Sequence, residues 1–448
     1  MDRPPLWPQA AQAQEETSGR CAGGHSMKLT RAVTHIRLCS INHAKIVALD
    51  AVAADYQALC QRYVTLFCTE VEPDGYATPC FESPLSQRWQ RVAIQQAAGI
   101  ARSWRANYKR AQEEFADTLA AWLEEEHTPE EIPPEWIPWS APTLKKRVLQ
   151  ANANVALLQP SQDSAFDYWL RVSTLEQRQP VFLPVTLAAY HQRYLAGKQV
   201  DSSVTLTRKA DGGWLTLTYE EEVPLQTPPD ALVVGVDAGI THFLTTSTGK
   251  HYGSFQGKLA KRRQRDREKR RRKAKLRACL KLKGVERLPS TRNLKLARTV
   301  RQEINRAVNE LYREHPGAQI TCERLSVATM RYKARRMNAY LYASNLAHIP
   351  KQLVWGGAKR GIGVTQVRSA YTSQECPRCH FVARSNRPAQ QTFCCGVCGW
   401  RMHADHNAAL NIAARCGDVE IHSCRTRQEL KALLEARHQR WRSDTGWS

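Results

Sequence analysis

Cys376-Pro-Arg-Cys379 and Cys395-Gly-Val-Cys398 are separated by fifteen residues. A C-x-x-C step bends the backbone so that two thiolates converge on one ion, and four thiolates satisfy tetrahedral zinc at about 2.3 Å. Two such knuckles at this spacing predict one closed structural zinc ion held by Cys376, Cys379, Cys395 and Cys398. Redox dithiols or a broken site are the alternatives, but thioredoxin-like dithiol motifs occur singly beside a βαβ unit. Cys394 competes with Cys395 as a ligand; the pattern F-x-C-x-x-C-G favours Cys395. A ribbon this short has no core of its own, so the metal holds it folded, and four thiolates leave no open position for a water.

Three carboxylates form a second constellation. Asp237 ends the apolar run VVGVD, Glu323 follows QITC, and Asp405 opens the helical stretch DHNAALNIAARC just past the knuckles. Singly, Asp237 reads as a turn residue and Asp405 as a helix cap. Together, acids at two strand ends and one helix start can converge on a sheet edge. There, carboxylate oxygens can hold two Mg²⁺ ions about 3.5–4 Å apart for in-line hydrolysis of a phosphodiester.

Such a site needs a phosphate substrate, and the charge distribution supplies a means of holding one. The 448 residues carry 65 Lys and Arg against 42 Asp and Glu, a net charge of +23. From Lys258 to Arg301 there are twenty basic residues and three acids, so +17 of the excess lies between the first and second carboxylates. Lys261, Arg262, Arg263, Arg265, Arg267, Lys269, Arg270, Arg271, Arg272, Lys273, Lys275 and Arg277 are the expected nucleic-acid contacts. A solvated basic face is the plainer reading, but such a face normally interleaves both signs. The opposite bias occurs at Glu113–Glu135, nine acids without a Lys or Arg, read as a helix end and a Pro-containing linker.

The length exceeds a single ordinary domain, and no run approaches the roughly 20 apolar residues of a membrane helix. Residues 1–26 lack a charged segment followed by an apolar one, and nine of the fourteen cysteines are scattered. These features predict a reducing cytoplasm and no membrane partner.

Along the chain, KLTRAVTHIRL alternates as a half-buried strand does, and helical spacing follows over 43–66 and 85–123. In the second helix Trp89, Val92, Ala93, Gln96, Ile100 and Trp104 share one face. A further helix is expected over Pro142–Leu158, then strands over 180–195 and a hairpin turning at Asp211-Gly212-Gly213. Strand, helices and strands in that order suggest a β-barrel with a helical insertion. From Ala231, strand and helix signals alternate as in a mixed α/β domain, with strands at 318–322 and GVTQVRS and helices at 295–312 and 338–360.

GVDAG, E-x-L in CERLS, YTSQECPRC, F-x-C-x-x-C-G and D-x-N-A-A-x-N, in this order from about Val233 to Arg415, resemble the RuvC and zinc-ribbon half of TnpB proteins. These are the transposon-encoded ancestors of compact type V CRISPR effectors. The resemblance implies an RNA-guided DNA endonuclease that pairs a guide RNA with target double-stranded DNA beside a short adjacent motif. Its catalytic acids would be Asp237, Glu323 and Asp405 with two Mg ions, alongside one structural Zn. It implies an RNase H-like RuvC nuclease domain over 230–373 and 401–424 with an inserted zinc ribbon at 374–400. Upstream it implies a wedge-like β-barrel over 28–42 and 159–229 carrying a helical recognition lobe at 43–158. Residues 1–27 and 425–448 are read as tails, and a monomer is preferred to a homodimer. His380 stands where the first knuckle of the family usually has Gly. A guided binder that silences without cutting and a DNA strand transferase are the competing functions.

Overall fold

A computed structural model of the chain describes residues 26–38, 41–123, 133–145, 147–209, 212–228, 230–239, 241–254, 258–285, 294–325 and 344–447. The structure divides into two compact units, one built from Lys28–Gln112 and Glu135–Glu222 and the other mainly from Val223–Ser448. Most of the proposed amino-terminal tail lies outside the described residues.

The first unit holds most of strand β1 (Ser26–Leu38), helix α1 (His43–Thr69) and helix α2 (Gln87–Leu123) as far as Gln112. Asn42 caps α1 by accepting the Lys45 amide, which satisfies one of the free N–H groups of the first turn. Val52, Tyr56, Leu59, Tyr63 and Phe67 recur at helical spacing and are buried. They meet the α2 face expected from sequence: Trp89, Val92 and Ala93 are buried, Ile100 and Trp104 partly so. The Tyr56 hydroxyl donates to Gln96 at 2.6 Å, and the Trp89 indole donates to the Ser173 carbonyl.

Strands β2 (Val148–Ala151), β3 (Ala156–Pro160), β4 (Tyr168–Val172) and β5 (Val181–Val185), helix α3 (Ala189–Leu195), and strands β6 (Val200–Lys209) and β7 (Gly212–Pro224) complete the unit. They form a four-stranded sheet in the order β1-β7-β6-β2 and an antiparallel three-stranded sheet β3-β4-β5. The expected hairpin is present as β6–β7, although Asp211 lies outside the described residues. The helix expected over 142–158 does not form. Asn152 makes a local turn by accepting the Asn154 amide, and Val148–Ala151 pairs with β6, burying Leu149 and Ala151 on one side. Side-chain competition for backbone groups together with tertiary pairing overrides the helical pattern. Likewise only Val181–Val185 of the stretch 180–195 is strand; Ala189–Leu195 is helical.

The second unit opens with β8 (Val233–Asp237), β9 (His242–Thr246) and β10 (His251–Ser254). Helices α4 (Lys258–Leu282) and α5 (Leu294–Glu314), strand β11 (Gln319–Glu323), helix α6 (His348–Ala358) and strand β12 (Val364–Val367) follow. The five strands lie in the order β10-β9-β8-β11-β12, with β8, β11 and β12 parallel and β9 and β10 antiparallel. Val234, Val236, Ile320 and Cys322 point to one face, where Val300, Ile304, Val308 and Leu311 of α5 and Ile349 and Leu353 of α6 cover them. This mixed α/β arrangement agrees with the sequence reading.

Beyond β12 come the short hairpin β13 (Thr392–Cys394) and β14 (Arg401–His403), then α7 (Ala404–Ala414), α8 (Val419–Ser423) and α9 (Arg427–Thr445). Residues 427–445, expected to be a tail, are thus a helix. Thr426 and Glu429 form a reciprocal capping box, Leu430 and Leu434 are buried with Tyr371 and Ile421, and Arg437 grips both oxygens of Asp418 at 2.7 and 2.9 Å. No helix among the described residues is long and apolar enough to cross a membrane.

Candidate acidic site and metal centre

The parallel register of β8 and β11 pairs Val233 with Gln319 and Val236 with Cys322, so the next residues, Asp237 and Glu323, are neighbours at the carboxyl ends of adjacent strands. This is the edge at which open α/β sheets bind ligands. On the face opposite the α5–α6 core, Gly235 lets α7 approach the strand. A Cβ at 235 would lie 2.1 Å from the Ala409 carbonyl oxygen and 2.5 Å from the Ala413 nitrogen. The close approach sets the first turn of α7, and with it Asp405, above the strand ends: a Cβ on Gly239 would lie 4.0 Å from Asp405 Oδ2. Gly235→Ala therefore forces α7 off β8. The expected loss is about 1–3 kcal/mol or more, read by denaturant unfolding.

All three sequence-derived acids come together. Asp237 is held well above the usual carboxylate range, first by burial and then by the nearby charges of Glu323 and Asp405, with Arg387 opposing. Glu323, 8% exposed, is raised by burial, while a hydrogen bond from Thr372 and the charge of Arg415 pull it back. Arg387 Nη2 lies 3.3 Å from Asp405 Oδ1. Sequence reading missed Arg387, Thr372 and a histidine group at the same end: His242 stacks on His251 at 4.4 Å, and His251 lies 5.8 Å from His403, whose Nδ1 caps α7. Asp237 and Glu323 resist ionisation, and with the oxygens of Asp405 beside them they suit a hard divalent cation whose charge would offset the crowding.

The four cysteines are buried with their sulfurs all within 4.8 Å of one another, which fits a tetrahedral zinc site. The knuckles repeat one backbone pattern. The Cys376 amide donates to the Phe381 carbonyl and the His380 amide back to Cys376; Cys395, Trp400 and Gly399 do the same. The fifth residue is left-handed in both, with φ +59° at His380 and +71° at Gly399. That conformation favours glycine, and His380 adopts it with its Nδ1 placed 3.1 Å from Glu375 Oε1. Cys394 is only half-buried on β13, paired with Arg401, so Cys395 is the fourth sulfur. The Cys376 thiol is lowered to about 5, chiefly by its hydrogen bond with Cys379, which is pushed up in turn.

Helix α9 braces this centre. His438 Nδ1 lies 2.7 Å from the Cys379 carbonyl, and Trp441, stacked on His438, packs against the cysteine cluster. The sequence signal for it was Thr426-x-x-Glu429 ahead of Leu430, Leu433 and Leu434.

Residues Lys258–Leu282 of the basic stretch form α4, whose described side chains are exposed along most of its length. Arg270 pairs with Asp266 at 2.8 Å one turn away. The side chains of Lys261, Arg262 and Arg263 lie outside the described residues.

Residues 348–412, which include the cysteines and Asp405, match the family described as Cas12f1-like, TNB domain. Over 302 residues, 61% of this chain and 73% of the relative, the sequence is 27% identical to InsQ of Escherichia coli (strain K12), named as a candidate RNA-guided DNA endonuclease. A 65-residue stretch, 14% of this chain and 15% of the relative, is 37% identical to the CRISPR-associated endodeoxyribonuclease Cas12f1 of Sulfoacidibacillus thermotolerans. Among solved structures, a Cas12f1–sgRNA–target DNA complex is similar at TM-score 0.39 and 13% identity, covering 87% of this chain and 99% of that one. CasPhi-2 (Cas12j) bound to crRNA is similar at TM-score 0.39 and 10% identity, covering 87% and 98%.

Proposed function

We propose that this chain, which carries a Cas12f1-like TNB domain and is homologous to InsQ and Cas12f1, is an RNA-guided DNA endonuclease. The observation that carries the reading is the register placing Asp237 beside Glu323 with Asp405 above them, on a domain that also holds four clustered thiolates. Residues 230–373 and 401–424 are read as the RNase H-like RuvC domain, 374–400 as its zinc ribbon, and the first unit as wedge and recognition lobe. Strands β2 and β3 join the wedge part.

In this reading Asp237, Glu323 and Asp405 would hold two Mg²⁺ ions. When bound there, the ions supply activation of a water for in-line attack and stabilisation of the leaving oxygen. The chain's own contribution is position. The strand register holds two carboxylates side by side, α7 aims the third, and Arg387 steadies Asp405. The exposed guanidinium and ammonium groups of α4 hold nucleic-acid phosphates by charge, while guide pairing selects the sequence.

The chain purified from cells carrying its native locus is expected to retain a discrete RNA. With Mg²⁺ it is expected to cut duplex DNA that matches the RNA and carries the adjacent motif. Absence of any discrete RNA would sink the guided reading. Retained RNA and motif-dependent DNA binding without cutting would leave a guided binder instead.

A further inference from the structure

We propose that Thr372 is a positioning residue for Glu323, through which the zinc ribbon and α7 together set the acidic site. The inference rests on the reading of Glu323 as a metal ligand. Thr372, 2% exposed, donates its hydroxyl to Glu323 Oε1. Its backbone is clamped from α7: Asn411 Nδ2 donates to the Thr372 carbonyl at 2.8 Å and to the Glu375 carbonyl at 2.7 Å, and Asn407 Nδ2 reaches Glu375 at 3.0 Å. Both asparagines follow Asp405 on one short helix, and Glu375 immediately precedes the first zinc thiolate, Cys376.

The clamp is anchored at its other end by charge. Arg415, 1% exposed, pairs with Glu375 Oε2 at 2.8 Å and donates to the Arg368 and Ala370 carbonyls. His380 of the first knuckle takes the other Glu375 oxygen. A buried pair of this kind contributes little net stability but imposes one geometry, because any shift leaves a buried charge unmet. Residues 368–376 are thereby held in fixed relation to both α7 and the ribbon.

Within this network the Thr372 hydroxyl hydrogen-bonds directly to a proposed metal ligand. It has a single proton and two acceptors in reach, Glu323 Oε1 and the Ser369 carbonyl at 3.0 Å. An ionised carboxylate is the stronger acceptor, so the proton goes to Glu323 when that side chain is charged. One Glu323 oxygen is then fixed by the hydroxyl, which sets the orientation in which the carboxylate would meet a cation. A purely structural Thr372 would need only its shape, which valine reproduces without the proton.

The test uses the full chain with its copurified RNA, comparing wild type, Thr372→Val, Thr372→Ser and Asp237→Ala. Mn²⁺ binding is read by calorimetry, zinc per chain by atomic absorption, and DNA cutting against Mg²⁺ concentration. Thr372→Val is expected to weaken Mn²⁺ binding by about 10–100-fold and to shift the Mg²⁺ midpoint upward by a similar factor. Zinc and RNA content should stay at wild-type level, and Thr372→Ser should restore both midpoints. Wild-type Mn²⁺ affinity in Thr372→Val, a serine variant as weak as the valine one, or loss of zinc and RNA alongside Mn²⁺ would each overturn the positioning role. If Asp237→Ala binds Mn²⁺ as wild type does, the carboxylate site itself is wrong and the inference falls with it.

Discussion

Asp237→Asn is expected to abolish DNA cutting while leaving guide RNA and target binding intact. On the proposed reading, the change removes one ligand of a two-metal centre and would forfeit several kcal/mol of transition-state stabilisation, on the order of a thousandfold or more at about 1.4 kcal/mol per decade. The same change should not harm the fold. In the metal-free protein Asp237 resists ionisation because it is desolvated and faces Glu323 and Asp405. Its folded pKa lies above its unfolded one, so its stabilising share is complete below the ordinary carboxylate range. That share is lost as pH rises from about 4 through the raised value. The asparagine variant carries no such titration, so its thermal midpoint without metal should equal or exceed that of wild type near neutral pH. A single-turnover cleavage assay beside a pair of melting curves checks both halves. Residual cutting near the wild-type rate would remove Asp237 from the centre; lost cutting together with a lowered midpoint would mean simple misfolding.

The second large effect is expected from the thiolates. Structural zinc in small finger peptides supplies about 10–16 kcal/mol of apparent folding free energy at neutral pH, and the fully buried apolar residues here besides the four cysteines are Phe393 and Ala404. Cys376→Ser combined with Cys395→Ser should drop zinc from one per chain to near none and open 376–403 to proteolysis. Because Asn407 and Asn411 hold the carbonyl just before Cys376, cutting should fail as well. Cys394→Ser should keep its zinc, since Cys394 sits on β13 outside the sulfur cluster. A double variant that still holds one zinc per chain would refute the four-thiolate assignment.

The clustering of the four cysteines was readable from spacing because a C-x-x-C knuckle is made within a few residues by local backbone hydrogen bonds, and both copies here share one pattern. The α2 face was readable for a similar reason. Helical periodicity alone puts Trp89, Val92 and Ala93 on one side, and α1 buries them. Where local preference and tertiary pairing disagree, periodicity misled: Val148–Ala151 has enough helical spacing to suggest a helix, yet its partner strand β6 lies more than fifty residues away. The carboxy-terminal helix was passed over although its capping box stood in plain view. What makes that helix matter, His438 against the Cys379 carbonyl, is a contact across 59 residues.

By itself, then, the sequence determined the chemical groups: four thiolates at knuckle spacing, three acids at the ends of recognisable elements, and a block holding most of the net charge. These are properties of residue type and short-range spacing, which the covalent chain dictates directly. Tertiary structure decided whether the acids meet. Asp237 and Glu323 are 86 positions apart and become neighbours only through the parallel register of β8 and β11, and Asp405 joins them only because Gly235 has no side chain to hold α7 away. It also decided what surrounds them, from Arg387 on Asp405 to Thr372 on Glu323. Hydrogen bonds and close backbone approaches of this kind depend on distances between distant segments, which no local pattern encodes.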